Sequence, residues 1–543
     1  MGGDKKVSKI NSKKINQIVI TVLIVFLNFI LQRNEVHRIF TYSDNTFYFY
    51  RMMRVVSLIV SSLLMYRFIT EIDYFITGEE IQKKRAGFFW IYFAINVCIL
   101  LLVWPGIFKG DEFYMIPKLM NMDIVWAQSW ITSVFYICAL MILPYLFSIT
   151  LLQIFIIGEI ASYIFIYIYQ NLTKKWLSYF ILAPFLLFPV LDNNQFTLRT
   201  SLMAWVLCFM VIYTSKNIKE GNFFSAKVQM LLVGLSVLLM TWKMEYGFIV
   251  AVLVVVDLVA LVMKKIDKRV FISFVTTMIV VYVVLSIPVR MGNSHNNYKL
   301  TSMFTGLSAV LYENYDDILG NEAIREDFEK LDSITPVEDI LQSTCLINLP
   351  GSYWRLPSIS NEDQMAWLKS AVKICMAYPY TFWGNRYYIF KYTNGMIANV
   401  INHTGSESSK LVLELEYITN EEVAHFFTEH FNLSEPLLNR DVRTKVISIL
   451  ACRNNENYSE TNVLYGILYN TLIPAVLLLL LFAWDVWKKN YKEIIIGIVL
   501  LSIVIINFIL APAYFWMYYM PFYLSVYTYI TWKLLICIDR RSF

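Results

Sequence analysis

Residues 126–143 read WAQSWITSVFYICALMIL, and the fold turns on whether they cross a membrane. The run is apolar and long enough to do so. If it crossed, the basic clusters before and after it would fall on opposite sides. Lys83-Lys84-Arg85 precedes it; Lys174-Lys175, Lys216 with Lys219, Lys264 to Arg269, Lys488-Lys489 and Arg540-Arg541 follow. Cytoplasmic loops collect Lys and Arg, so these clusters belong together on one face. The run therefore reads as an interfacial helix on the outer surface. Pro144 ends it, and Trp126 and Trp130 suit the membrane–water boundary.

Outward from this segment the chain is membrane-like almost throughout. Of 543 residues 57% are hydrophobic and 16% charged, which excludes a string of soluble domains. The net charge of +5 sits in short clusters between apolar runs, a topology signal and not a nucleic-acid surface. The basic start leads into an apolar run from Ile15 without a small-residue cleavage site, so it reads as a span and not a signal peptide. Twelve spans are expected, beginning near Ile15, Met52, Gly87, Ser148, Trp176, Leu198, Val228, Tyr246, Val270, Val463, Glu493 and Ala513. The expected fold is an all-α polytopic membrane protein. Residues 1–289 hold nine spans with an outer loop at 105–147, residues 290–462 form an extracytoplasmic, mainly helical domain, and 463–543 hold the last three spans. Both termini are expected in the cytoplasm, at a plasma membrane.

On this topology polar residues gather at outer helix ends. Trp104-Pro105-Gly106 leads from the third span to the adjacent acids Asp111 and Glu112. LDNNQFTLR carries Asp192 and Arg199, the hairpin TWKMEYG carries Lys243 and Glu245, and Arg290 and His295 follow the ninth span. Glu159, with Gln153 on the same helix, and Asp257 lie inside spans. Such acids are functional candidates or interhelical hydrogen-bonding groups.

In the polar region, Glu313–Asp332 reads as one helical stretch. Asn361–Ala377 reads as another, with Asn361 as cap. Tyr380 to Ile401 is aromatic and carries Arg386; Leu411–Ile418 alternates like a strand; Glu421–Phe431 and Pro436–Ala451 read as helices. His425 and His430 are five apart, off the four-residue spacing of a helical zinc pair. Asn402, Asn432 and Asn457 match a glycosylation pattern. Cys345, Cys375 and Cys452 allow at most one disulfide, its pairing open.

Several of these features resemble the GT-C superfamily of membrane glycosyltransferases, in a bacterial, Gram-positive-like branch. They are the Trp-Pro-Gly exit before Asp111-Glu112, the interfacial helix and the following LLQIFIIGE. Phe188-Pro189 before Arg199, the charged hairpin, AYPYTFWGNR and the final AYFWMYYMP extend the likeness. The last motif departs from its relatives, which often carry an arginine where this chain has Phe515, Trp516 and Met517. The resemblance implies inverting transfer of a sugar from a polyprenyl-phosphate donor to an envelope polysaccharide, teichoic-acid or lipid acceptor, on the outer face among membrane lipids. It implies Asp111 as catalytic base with Glu112 beside it, and Arg199, Lys243 and Arg290 as donor-phosphate ligands. Glu245, Asp192 and Arg386 would bind substrate. Some superfamily members hold a divalent metal ion near the acids, and one acidic pair leaves that open. The rival readings are a polysaccharide polymerase, for which arginine-rich outer loops are wanting, and a lipid-linked-sugar transporter or flippase, for which no internal repeat is visible.

Overall fold

A computed structural model describes residues 2–108, 110–125, 129–197, 199–291, 297–357, 359–394, 430–431, 437–452 and 463–541. Among these the chain is all helical, with 82% helix and no strand. Ten of the described helices are long and apolar enough to cross a bilayer, so this is a multi-pass membrane protein. The other two expected spans take other forms. The one from Trp176 is Lys175–Phe185 followed by Phe188–Gln195, bent by 67°. Leu187 is extended there and Pro189 opens the second helix, where a proline has no amide to give the preceding turn. The one from Val228 is Ala226–Trp242, 17 residues, a little short of the hydrocarbon thickness.

The segment that opened the sequence reading is a helix of 13 residues, Trp130–Ile142, with Ser129 accepting from the Ile131 amide at its start. At 1.5 Å per residue it is about 20 Å long and too short to cross. Its central residues, Tyr136 to Met141, are buried in protein, so it is wedged among other helices more than laid on a surface.

The chain packs as two compact units that alternate along the sequence. The first comprises residues 1–216, 405–450 and 531–543, the second 217–404 and 451–530. Residues 290–462, expected as one domain, are therefore shared between them.

In the first unit the helices are α1 (Gly2–Leu31), α2 (Arg33–Ile39), α3 (Phe47–Thr77), α4 (Glu80–Leu102), α5 (Gly110–Met120), α6 (Trp130–Ile142), α7 (Phe147–Asn171), α8 (Phe188–Gln195) and α9 (Arg199–Lys219). α9 runs on into the second unit's residues. Phe108, Ile116, Leu119, Tyr136, Leu140 and Ile149 form the centre of an apolar core. A second feature holds α3, α4 and α7 together. Arg67 pairs with Glu71 at 2.8 Å and with Glu159 at 2.6 Å, and Arg85 pairs with the same Glu71 and lies 3.7 Å from Glu159. Two cations and two anions cancel, which is how a low-dielectric interior tolerates them. Glu159, read as a candidate intramembrane acid, is thus part of a four-residue ion cluster. Asp539 accepts from the amides of Thr173 and Lys174 at 2.7 and 2.8 Å, tying a much later stretch to the end of α7.

In the second unit α10 (Ala226–Trp242), α11 (Gly247–Val262) and α12 (Lys268–Met291) precede the helices of the polar region. The latter are α13 (Thr301–Gly320), α14 (Arg325–Ile334), α15 (Val337–Gln342), α16 (Asn361–Ala377) and α17 (Pro379–Thr393). They enclose their own core, centred on Trp367, which stacks on Phe304 at 5.4 Å and donates to Thr335 Oγ1 at 2.7 Å. Two sequence expectations change here. Glu313–Asp332 is broken between Gly320 and Arg325, and the cap of α16 is Ser360, whose hydroxyl accepts from the Asp363 amide at 3.1 Å. Ser360 sits one residue before Asn361 with extended backbone, the conformation a cap needs. Pro436–Ala451 becomes a helix over Arg440–Leu450. The expected strand at 411–418, most of 421–431, His295, His425, Asn402, Asn432 and Asn457 lie outside the described residues. Cys345, Cys375 and Cys452 are all thiols.

Candidate functional site

The acid-bearing loop begins where α4 ends at Leu102. Gly106 has φ +126°, a conformation side chains resist, and a Cβ there would stand 2.6 Å from Thr150 Oγ1 of α7. Glycine is required by both facts. The Ile107 amide donates to the Gln195 carbonyl at 3.3 Å, and Ile107 and Phe196 form an isolated parallel bridge. The Asp111-Glu112 loop and the LDNNQFTLR loop, read separately in the sequence, are thereby laid side by side.

Asp111 and Glu112 fall in the first turn of α5, where exposed amides favour negative charge. Glu112 is fully buried and accepts from Thr197 Oγ1 at 3.1 Å. Arg199 follows two residues later and opens α9, partly exposed. Asp192 is fully buried at the other end of the loop. The side chains of Asp111 and Arg290 lie outside the described residues.

A buried amide knot fixes this junction. Asn194 donates to Tyr92 Oη at 2.9 Å and Asn96 Oδ1 at 3.0 Å, and accepts from Trp205 Nε1 at 2.8 Å. Gln153 donates to the carbonyls of Asn194 and Phe196 at 2.9 and 2.7 Å, and Gln195 to the Asn96 carbonyl at 3.1 Å. Tyr136 of α6 donates to the Thr197 carbonyl at 3.0 Å. Each bond satisfies a group that would be costly to bury alone. From the other side, Arg443 of the helix Arg440–Leu450 grips the exit turn. Its Nε donates toward the carbonyls of Trp104 at 3.1 Å and Val103 at 3.3 Å, and its Nη2 to that of Gly106 at 3.3 Å. A guanidinium at a helix C-terminus meets the negative end of the dipole.

Arg443, Thr197, Asn96 and Asn194 are absent from the sequence-based candidates. For Asn96 a signal existed, an amide in the middle of a span. For Arg443 there was none, since one arginine on a short polar helix resembles any other.

Comparison with protein-family models, with curated proteins and with solved structures finds no match. The site is therefore read from its own chemistry.

In the second unit Lys243 is almost buried, 3.8 Å from Glu245 and 4.8 Å above the Tyr518 ring. Tyr298 donates to Glu245 Oε1 at 3.3 Å. The hairpin and the final aromatic motif, also separate in the sequence, are thus in contact. Arg386 behaves otherwise. It is 1% exposed, and its Nη1 donates to the carbonyls of Ala511 at 2.8 Å and Ile509 at 3.4 Å. Burial lowers its pKa to about 10. It caps the end of the helix Tyr491–Leu510. Asp257 is fully buried in α11, and among the described residues neither carboxylate oxygen has a hydrogen-bond partner. Among the described residues no group of three or more His, Cys, Asp or Glu is placed to hold a metal ion.

Proposed function

We propose that this chain is a membrane glycosyltransferase of the GT-C kind, moving a sugar from a polyprenyl-phosphate donor to a hydroxyl of an envelope glycan, teichoic-acid or lipid acceptor. The observation that carries the reading is the junction in the first unit. A loop bearing two acids is pinned against a loop bearing an arginine, at the end of a span, by a buried amide knot. An apolar cavity of about 200 Å³ lies between α3, α4, α6 and α7, lined by Leu64, Phe68, Phe93, Leu143, Leu151 and Phe155. Its α7 residues Ser148, Leu151 and Phe155 share one face of that helix, and Thr150, which abuts Gly106, lies on another. The lipid tail of the donor requires an apolar slot of this kind.

In the proposed reaction Asp111 takes the proton of the acceptor hydroxyl as that oxygen bonds to the anomeric carbon. The bond from that carbon to the phosphate oxygen breaks on the opposite face, so configuration inverts. The lipid phosphate leaves with the electron pair, and Arg199 neutralises it. Glu112, held by Thr197, keeps the first turn of α5 in place. The second unit carries candidates of its own, Lys243 and Arg290 for a phosphate and Glu245 for substrate.

The test is transfer of radiolabelled sugar from polyprenyl-phosphate-sugar to acceptor by purified protein in vesicles. Transfer by wild type that fails with Asp111→Asn supports the reading. Label that crosses the vesicle membrane without changing its covalent carrier means a transporter.

A further inference from the structure

The turn between α3 and α4 holds a second cavity, of about 620 Å³, which the transferase reading does not use. Its rim carries Lys83 and Lys84 with Glu80, and its wall is Phe75, Ile91 and Tyr179. Three observations place it at headgroup depth. It sits where two membrane-spanning helices meet through a two-residue connection at Gly78 and Glu79. Both lysines are exposed, whereas the neighbouring Arg85 is buried in its ion cluster. Tyr179 belongs to the 3-10 helix Lys175–Ile181, which turns Trp176, Tyr179 and Phe180 outward, 61%, 38% and 53% exposed. Aromatic rings gather at the membrane–water boundary because one end is apolar and the other wet.

We propose that this cavity binds an anionic phospholipid. The lysine ammoniums hold the phosphate, outnumbering the single rim carboxylate, which has the Tyr169 hydroxyl 3.5 Å away. The first acyl segments lie on Phe75 and Ile91, exposed by 55% and 49% without a lipid. A free anion would satisfy the lysines and make no use of that wall, which is why a lipid and not inorganic phosphate is the occupant. The proposal does not depend on the transferase reading.

The experiment uses full-length protein in phosphatidylcholine vesicles, with spin-labelled phosphatidylglycerol or spin-labelled phosphatidylcholine as probe. Wild type should select the anionic probe, and the double variant Lys83→Ala/Lys84→Ala should lose roughly tenfold of that selectivity. Ile91→Trp keeps both charges and fills the wall; it should lose selectivity as well, so the proposal stays testable if the lysine variant fails to fold. Lys488→Ala/Lys489→Ala, at another span end, should change nothing. Equal selectivity in both cavity variants overturns the proposal, as does equal loss in the Lys488/Lys489 control. Displacement of the probe by millimolar inorganic phosphate at constant ionic strength overturns it in favour of a free-anion site.

Discussion

At Gly106 a single missing methyl group decides whether the exit turn closes. The positive φ and the 2.6 Å approach to Thr150 Oγ1 oppose any Cβ. Gly106→Ala should destabilise the protein by about 1–3 kcal/mol. Adding Thr150→Ala should recover part of that loss, because it removes the clash and leaves the φ strain. Thermal unfolding in detergent reads both. The adjacent acids divide differently. Asp111→Asn retains size but removes the base, so transfer should fall by roughly a hundredfold or more at unchanged protein level. Glu112→Gln preserves an acceptor for Thr197 and should cost less. Near-normal turnover by a well-expressed Asp111→Asn protein would sink the assigned mechanism.

Helices meet through residues whose partners lie far off in sequence, and this limits what the sequence discloses. The spans were legible because twenty apolar residues in succession have few alternatives in water. α16 was legible from its acidic first turn, although its cap was displaced by one, since serine's short hydroxyl at Ser360 reaches the Asp363 amide. The loops of the candidate site were legible as polar islands between spans. Their joining was not, because it rests on Gln153 reaching Phe196, 43 residues away, and Arg443 reaching Trp104, 339 away. Arg443→Ala should speed hydrogen exchange of the amides of 104–112, and Arg443→Lys should restore it only partly, one ammonium replacing a fork of donors. That readout stands whether or not the chain transfers sugar. In the ion cluster, Glu71 is fully buried between Arg67 and Arg85. Glu71→Ala leaves the two guanidiniums sharing the single carboxylate of Glu159 and should destabilise by about 3 kcal/mol. Addition of Arg85→Leu should return much of it; a double variant no better than the single would show that charge pairing is not what holds these helices.

At the scale of the molecule, the expected topology rests on the clusters of lysine. Lys174→Cys should react with a membrane-impermeant thiol reagent only after cells are opened, and Asn402→Cys should react in intact cells. Labelling of Lys174→Cys from outside would reverse the topology. The hydrogen bonds of Asp539 to Thr173 and Lys174 also set a clock, since their partners are 366 and 365 residues apart. At about 5–20 residues per second, the ribosome finishes the acceptor roughly 20 s or more after the donors emerge. The first unit cannot mature in the order in which it is made. Its early helices must wait in the bilayer with the foot of α7 open, and that interval is when a membrane chaperone or protease would find them.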